Sequence, residues 1–325
     1  MAIRPVLARS RLLTGLVLAS ALLGGLARLP AAPAPALHRV APRTPQVLQQ
    51  IFAPGSGTLP MVSGHRGGAW HGFPENCIPT FERTLAHTYA IFEIDPRYTK
   101  DGAVVVHHDP TLDRTTTGKG KLTDSTLAEI QHLRLKDLGG KVTDLRVPTL
   151  DEVIDWARGK AILILDQKDV SALDRARIVA RHRAEHFVLL IVGSYKDVQA
   201  VHAAHSHQMM EVFVGTRAKA EEFDRLGVPW RNVVAFVGHT PPEDPSLYEF
   251  IHQRGARCIV GSSRNLDRRL LSGQVSDLAP LEPDYRAFLA RGADLIETDL
   301  PALLGPLLHR QTPVPAALRP FFHAP

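Results

Sequence analysis

Ala161-Ile162-Leu163-Ile164-Leu165-Asp166 and, further on, Phe187-Val188-Leu189-Leu190-Ile191-Val192 are unbroken apolar runs. They are long enough for a strand and too short for an ordinary helix. Continuous apolarity, rather than alternation, is what a strand buried on both faces requires. Similar runs recur at Met61–His65, Ile91–Asp95, Ala103–His108, Glu211–Gly215, Val233–Val237, Arg257–Gly261 and Asp294–Glu297. Between them lie amphipathic stretches of helical length: Ile78–His87, Leu150–Arg158, Ala172–Arg183, Lys196–His205, Ala218–Leu226, Ser246–Arg254 and Asp284–Arg291. Strands alternating with helices predict parallel βα units. The two architectures open to such a chain are a closed barrel and a doubly wound open sheet.

The strand candidates number nine where a barrel takes eight. From Asp95 to Ala103 the chain is too short for a parallel crossover, and it holds Asp101-Gly102, a dipeptide favoured in two-residue hairpin turns. The third run is therefore read as the returning arm of a hairpin. The predicted fold is α/β, a (β/α)8 TIM barrel with a β-hairpin and a small insertion after the second strand. Residues 110–147 form that insertion: they are polar, Gly-rich and carry a short helix signal near Thr126–Leu135, with Leu127, Ile130, Leu133, Leu135 and Leu138 to give them a core. A long insertion at the mouth of a barrel reads as a cap over a site.

With 325 residues and 44% hydrophobic content, the chain exceeds the ~250 residues of one barrel, so an extension is expected. Arg4, Arg9 and Arg11 precede an apolar stretch from Leu12 to Ala27 that ends in Gly25-Leu26-Ala27. This pattern predicts a signal peptide over 1–27, with 36 as its outer limit, and export to the periplasm or beyond; an uncleaved anchor is the alternative. Residues 28–58 read as an Ala/Pro-rich leader, 59–310 as the barrel and 311–325 as a C-terminal tail. The net charge of +5 suits an anionic small-molecule substrate and transient contact with a membrane surface. No basic run interleaved with aromatics points to nucleic acid. Oligomeric state has no sequence signature here. The two cysteines, Cys77 and Cys258, are expected to be buried free thiols.

A barrel delivers the last residues of its strands to one mouth. Here those ends carry His65-Arg66, Glu93-Ile94-Asp95, His107-His108-Asp109 and Asp166-Gln167-Lys168. Glu93 and Asp95 are two apart on a strand and face the same way. Carboxylates crowded together repel unless a proton or a cation sits between them. Glu93, Asp95 and Asp166 thus form an oxygen-rich set of the kind Mg²⁺ or Ca²⁺ takes. Salt bridges to Arg66 and Lys168 are the structural alternative. A two-residue turn at Asp101-Gly102 would place Asp95 opposite His108 and turn His107 away, making His108 and His65 the acid–base pair. Arg66 offers a bidentate fork and Lys168 a point charge for phosphate oxygens. No Gly-x-Ser-x-Gly elbow occurs, which disfavours a serine hydrolase.

His65-Arg66-Gly67, Pro74-Glu75-Asn76, Glu93-Ile94-Asp95, Thr99-Lys100-Asp101-Gly102 and the run from His108 to Thr116 resemble, in order, the signatures of glycerophosphodiester phosphodiesterases. Val147–Val153 and Ala293–Pro301 continue the resemblance, which spans about Val62 to Pro301 and is strongest before residue 155. It implies one divalent metal and hydrolysis of glycerophosphodiesters to glycerol 3-phosphate and an alcohol. It implies catalytic roles for His65 and His108, metal ligation by Glu93, Asp95 and Asp166, and phosphate binding by Arg66. Glu75 and Asn76 are expected to line the site. The chain departs from the pattern in four places. Asp166 stands where Glu is usual, Pro96 where a β-branched residue is usual, and Cys77 where Thr is common. Cys258–Ser262 stands where an aromatic residue often helps bind the alcohol. Spider-toxin-like phospholipases D share the first half of the constellation, so cleavage of lysophospholipid or sphingolipid head groups is the second reading. A non-catalytic exported phosphoester-binding protein is the third.

Overall fold

Alternation along the strands sorts their side chains into two cores. The structure, a computed structural model, describes residues 36–55 and 59–325. The expected signal peptide and the first part of the leader, to residue 35, lie outside the described residues. Eight strands close a parallel barrel in sequence order. They are β1 Met61–Gly64, β2 Ile91–Ile94, β3 Ile162–Leu165, β4 Val188–Val192, β5 Met210–Phe213, β6 Val233–Gly238, β7 Arg257–Gly261 and β8 Leu295–Thr298. On β3, Ile162 and Ile164 pack inside the barrel with Ile91 and Leu189, while Leu163 and Leu165 pack outward beneath the helices. Burial on both faces explains the continuous apolar runs.

Helices α1 Ile78–His87, α2 Leu150–Ala157, α3 Ala172–Arg181, α4 Tyr195–Ala204, α5 Arg217–Asp224, α6 Ser246–Gln253 and α7 Glu282–Ala290 stand where the periodicity places them, within two residues at either end. Their starts are written locally. Thr149 and Glu152 form a capping box for α2, whose buried Leu150, Val153, Ile154 and Ala157 make one stripe. A last helix, α8 Pro301–His309, closes the ring. Among the described residues no helix is long and apolar enough to cross a membrane.

The floor of the barrel comes from segments read in the sequence as leader and tail. A helix at Pro45–Ile51, capped by Thr44, buries Leu48 and Ile51 against the barrel interior, and Leu318 and Phe322 join them. Arg39–Val40 pairs with Phe322–His323. The buried Arg257 at the start of β7 donates to the carbonyls of Ile51 and Leu59, which fixes this layer at the N-terminal ends of the strands. A helix of about two turns is too short to carry a clear periodic signal, so its role shows only in the packing.

The hairpin after β2 exists, but its register corrects the expected one. Pro96–Tyr98 pairs with Val104–Val106, with Arg97 facing Val105. Thr99 N donates to Ala103 O at 2.9 Å around a three-residue loop in which Gly102 has φ +79°. Asp101 stabilises this longer turn by accepting from the Thr99 hydroxyl at 2.6 Å and from Leu127 N at 2.9 Å. The ladder is therefore shifted by one residue, and it is His107, not His108, that donates its backbone N–H to Asp95 O, at 2.7 Å. Pro96 sits in this ribbon without breaking it. The insertion is folded around its own core of Cys77, Val105, Leu112, Leu122, Ile130 and Leu135. Its helix is Leu127–Gln131.

Candidate active site

β1 ends in a turn that glycine makes possible. Arg66, Gly67 and Gly68 have φ of +52°, +86° and +84°. A Cβ on Gly67 would collide with the Phe81 ring of α1. This reversal keeps His65 at the mouth and turns Arg66 N to donate to Glu93 Oε2 at 2.9 Å. The first two strand ends are thereby tied together.

The carboxylates predicted as one set do converge. Glu93, Asp95 and Asp166 each bring an oxygen within 4.8 Å of the others. Asn76, itself at φ +58°, holds Asp95 from both sides: its Nδ2 donates to Asp95 Oδ2 at 2.6 Å and its Oδ1 accepts from Asp95 N at 3.2 Å. Lys168 Nζ lies 3.0 Å from Asp95 Oδ1 and also bonds Asp166. Arg66 Nε is 3.9 Å from Asp95 Oδ2. The salt bridges weighed as an alternative are therefore present within the cluster itself. Burial, then the charges of Asp95, Asp166 and Glu297, push Glu93 well above the ordinary carboxyl range. Burial also opposes ionisation of Asp95, but Lys168, His108, Asn76 and Arg66 together hold it below that range.

Both histidines of the expected pair face one cavity of about 570 Å³. His65 Nδ1 is 2.7 Å from Asp299 Oδ1, and His108 Nδ1 is 2.7 Å from Asp109 Oδ1. Each ring is thus tethered by an aspartate through Nδ1, leaving Nε2 for other partners. The two environments differ. For His65, burial works against the proton, but Asp299 and Glu297 outweigh it and raise the imidazole above its usual value. For His108, burial prevails, with Arg66 and Lys168 adding to it, and the imidazole is lowered.

His108 reaches the cavity by a route other than the pleat. The ladder ends at Val106, the chain bends, and Arg97 Nε fixes the bend by donating to His108 O at 2.8 Å. His107 turns into the insertion, where its Nδ1 meets Asp109 O at 2.9 Å and its Nε2 meets Thr115 Oγ1 at 2.9 Å. Glu75 and Asn76 support the site from behind. Arg114 clamps Glu75 through two contacts of 2.8 Å and Asp109 through contacts of 2.7 and 2.8 Å. Arg66 Nη1 reaches the same Glu75 at 3.4 Å.

Several groups at this mouth were not singled out from the sequence. Asp299 tethers His65, and its own backbone N–H is held by Asp267 at 2.7 Å. Glu211 and Glu297 are buried carboxyls on β5 and β8 that line the cavity, together with Phe213, Phe236 and His239. A lone acid inside an apolar strand, as in Met210-Glu211-Val212, was the available signal. The aromatic wall comes from β5 and β6, where Phe213 and Phe236 are in register, rather than from the Cys258–Ser262 segment.

Taken together, fold and mouth define a (β/α)8 barrel with two aspartate-tethered histidines and a carboxylate cluster at the C-terminal ends of its strands. Residues 65–260 match the family model for glycerophosphoryl diester phosphodiesterases, so the chain belongs to that family. A glycerophosphoryl diester phosphodiesterase of Parabacteroides distasonis, known from its crystal structure, is 36% identical with a TM-score of 0.82, over 89% of this chain and 100% of that one. Glycerophosphodiester phosphodiesterases of Caldanaerobacter subterraneus and Bacillus subtilis are 41% identical over 105 residues and 29% identical over 165 residues. These matches cover 32% and 44% of this chain and 43% and 55% of those proteins, so it spans about half the length of the curated relatives it matches. An Oleispira antarctica phosphodiesterase, solved with the product sn-glycerol-3-phosphate, is 20% identical with a TM-score of 0.55, over 77% of this chain and 97% of that one, and shares the fold.

Proposed function

We propose that the protein hydrolyses glycerophosphodiesters to sn-glycerol 3-phosphate and an alcohol, using one divalent cation, Mg²⁺ or Ca²⁺. The observation that carries this reading is the pair of aspartate-tethered imidazoles on one cavity, with proton affinities pushed in opposite directions. A raised imidazole beside a lowered one is the division of labour between a general acid and a general base.

Glu93, Asp95 and Asp166 would hold the cation. Their donor set is all oxygen, and Lys168 bridges two of the three carboxylates, which is how positive charge is recruited to such a cluster. Asp166 in place of Glu still converges with the other two. When bound, the cation neutralises the phosphodiester and stabilises charge developing in the transition state.

The remaining steps belong to the chain's own side chains. Arg66 and Lys168 line the cavity and bind phosphate oxygens. His108 Nε2 removes a proton from the attacking water as its oxygen bonds to phosphorus. The bond from phosphorus to the alcohol oxygen breaks, and His65 Nε2 passes its proton to that oxygen. Asp299 and Asp109 keep each ring in the tautomer that leaves Nε2 at the reacting atoms.

Release of glycerol 3-phosphate from glycerophosphocholine, assayed with Mg²⁺, with Ca²⁺ and with chelator, tests the reading. Product that needs either ion supports it, and product undiminished by chelator contradicts it. Export as a mature domain is part of the proposal, supported by the basic and apolar pattern of residues 1–27. N-terminal sequencing of the protein recovered outside the cytoplasm tests that part.

A further inference from the structure

Most cations at the mouth are already matched. Arg66, Arg97, Arg114 and Lys168 each pair with a carboxylate. Two others differ. Arg264 and Arg268 follow β7, are exposed and line the same cavity, and neither side chain has a hydrogen bond or ion pair within the described residues. Beside them His239 lines the cavity, its Nδ1 buried against Gly261. The group is assembled rather than scattered. Asn265, between the arginines in sequence, donates its side chain to His239 O and caps the helix Leu266–Leu271 that carries Arg268. Gly261 leaves the space His239 occupies, since a Cβ there would overlap the ring. Ser263 lines the cavity beside them and completes this wall.

Position relates this wall to the reaction. Asp267, beside Arg268 on the same short helix, holds the backbone N–H of Asp299, and Asp299 tethers His65, so the donors adjoin His65. In the proposed mechanism His65 protonates the departing alcohol, which therefore lies on this side of the phosphorus. The geometry points to a second oxyanion subsite formed by His239, Ser263, Arg264 and Arg268, which takes a phosphate carried by the leaving alcohol. This deepens the function proposed above and rests on it for the placement of the alcohol. A quaternary ammonium against Phe213 and Phe236 is the competing use of the same wall. Two unpaired guanidinium groups in the same cavity as those rings oppose a cation and favour an anion.

A matched pair of probes isolates the added group: glycerophosphoinositol and glycerophosphoinositol 4-phosphate. Binding is measured by calorimetry with the full protein in chelator, where no turnover is expected, and kcat/KM is then measured with metal. The 4-phosphate should bind about tenfold tighter, as two charge-assisted contacts predict, and the ratio should fall to about one in R264A/R268A. Both positions are exposed, so the variant is expected to fold; a ratio that declines as ionic strength rises is the independent check on the unaltered protein. Equal binding of the two probes, a ratio that survives in the variant, or tighter binding of glycerophosphocholine than of the 4-phosphate would overturn the subsite. A binding ratio near ten with no turnover of any diester would leave the subsite standing and remove the hydrolase reading. Turnover without the ratio would do the reverse.

Discussion

His65 Nδ1 and Asp299 Oδ1 are 2.7 Å apart although 234 residues separate them, so the ends of the first and last strands of the barrel jointly orient one imidazole. Asp299 raises the proton affinity of that imidazole against the opposing effect of burial. A general acid works only while protonated, so activity should fall as pH rises through its pKa. Removing the raising influence moves that fall to lower pH. Asp299→Asn should therefore shift the alkaline limb of the kcat/KM profile downward and lower kcat by about 10²-fold. An unshifted alkaline limb in this variant would count against His65 as the acid.

His107 and His108 are neighbours with different surroundings, and substitution should separate them. His108→Ala should cost about 10² to 10⁴ in kcat. His107 is buried and bonded to Thr115 and to the Asp109 carbonyl, so His107→Ala should lower stability by about 1–3 kcal/mol and leave kcat within a few-fold. Kinetics and thermal melts on the two variants check this. Comparable kcat losses in both would refute the assignment.

Loss of one carboxylate from the cluster should be read in cation affinity before it is read in rate. Asp166→Ala removes one of three oxygen donors, and about tenfold weaker binding of Mg²⁺ or Ca²⁺ is expected by calorimetry. Unchanged affinity would place the cation elsewhere.

Gly67→Ala tests the turn that presents His65 and Arg66. The position has φ +86° and no room for a methyl group beside Phe81. A stability loss of about 1–3 kcal/mol is expected. Gly72→Ala, also at positive φ but facing open space, should cost less. A melt that ranks the two in the other order would argue against this account of the turn.

Cys77 and Cys258 are buried free thiols, and burial pushes the Cys77 thiol up to about 11. Neither should react with a thiol reagent in the native protein at neutral pH, and both should react after denaturation. Rapid native labelling of either would contradict their burial.

Much of this architecture was legible in the sequence because it is written locally. Apolar strands of about five residues, the Thr149–Glu152 capping box and the order of strand ends each depend on a few neighbouring residues. The hairpin was legible as a hairpin, but its register was not. Asp101 and Gly102 serve a three-residue loop as readily as a two-residue one, and hydrogen bonds from Thr99 and the insertion make the choice. His108 was assigned to the site on the wrong register, and the bend held by Arg97 brings it there. Asp299 carries no local sign of its role, because its tether to His65 is a relation between strand ends that only closure of the barrel creates. The floor built from residues near 48 and 318 is non-local for the same reason.

The most direct test of the central claim is to follow glycerophosphocholine by phosphorus NMR as the protein turns it over with added Mg²⁺ or Ca²⁺. The account predicts that the diester resonance is replaced by that of sn-glycerol 3-phosphate, and that chelator or His108→Ala stops the conversion. A diester resonance that persists under every metal condition, or that gives way to phosphocholine, would contradict it.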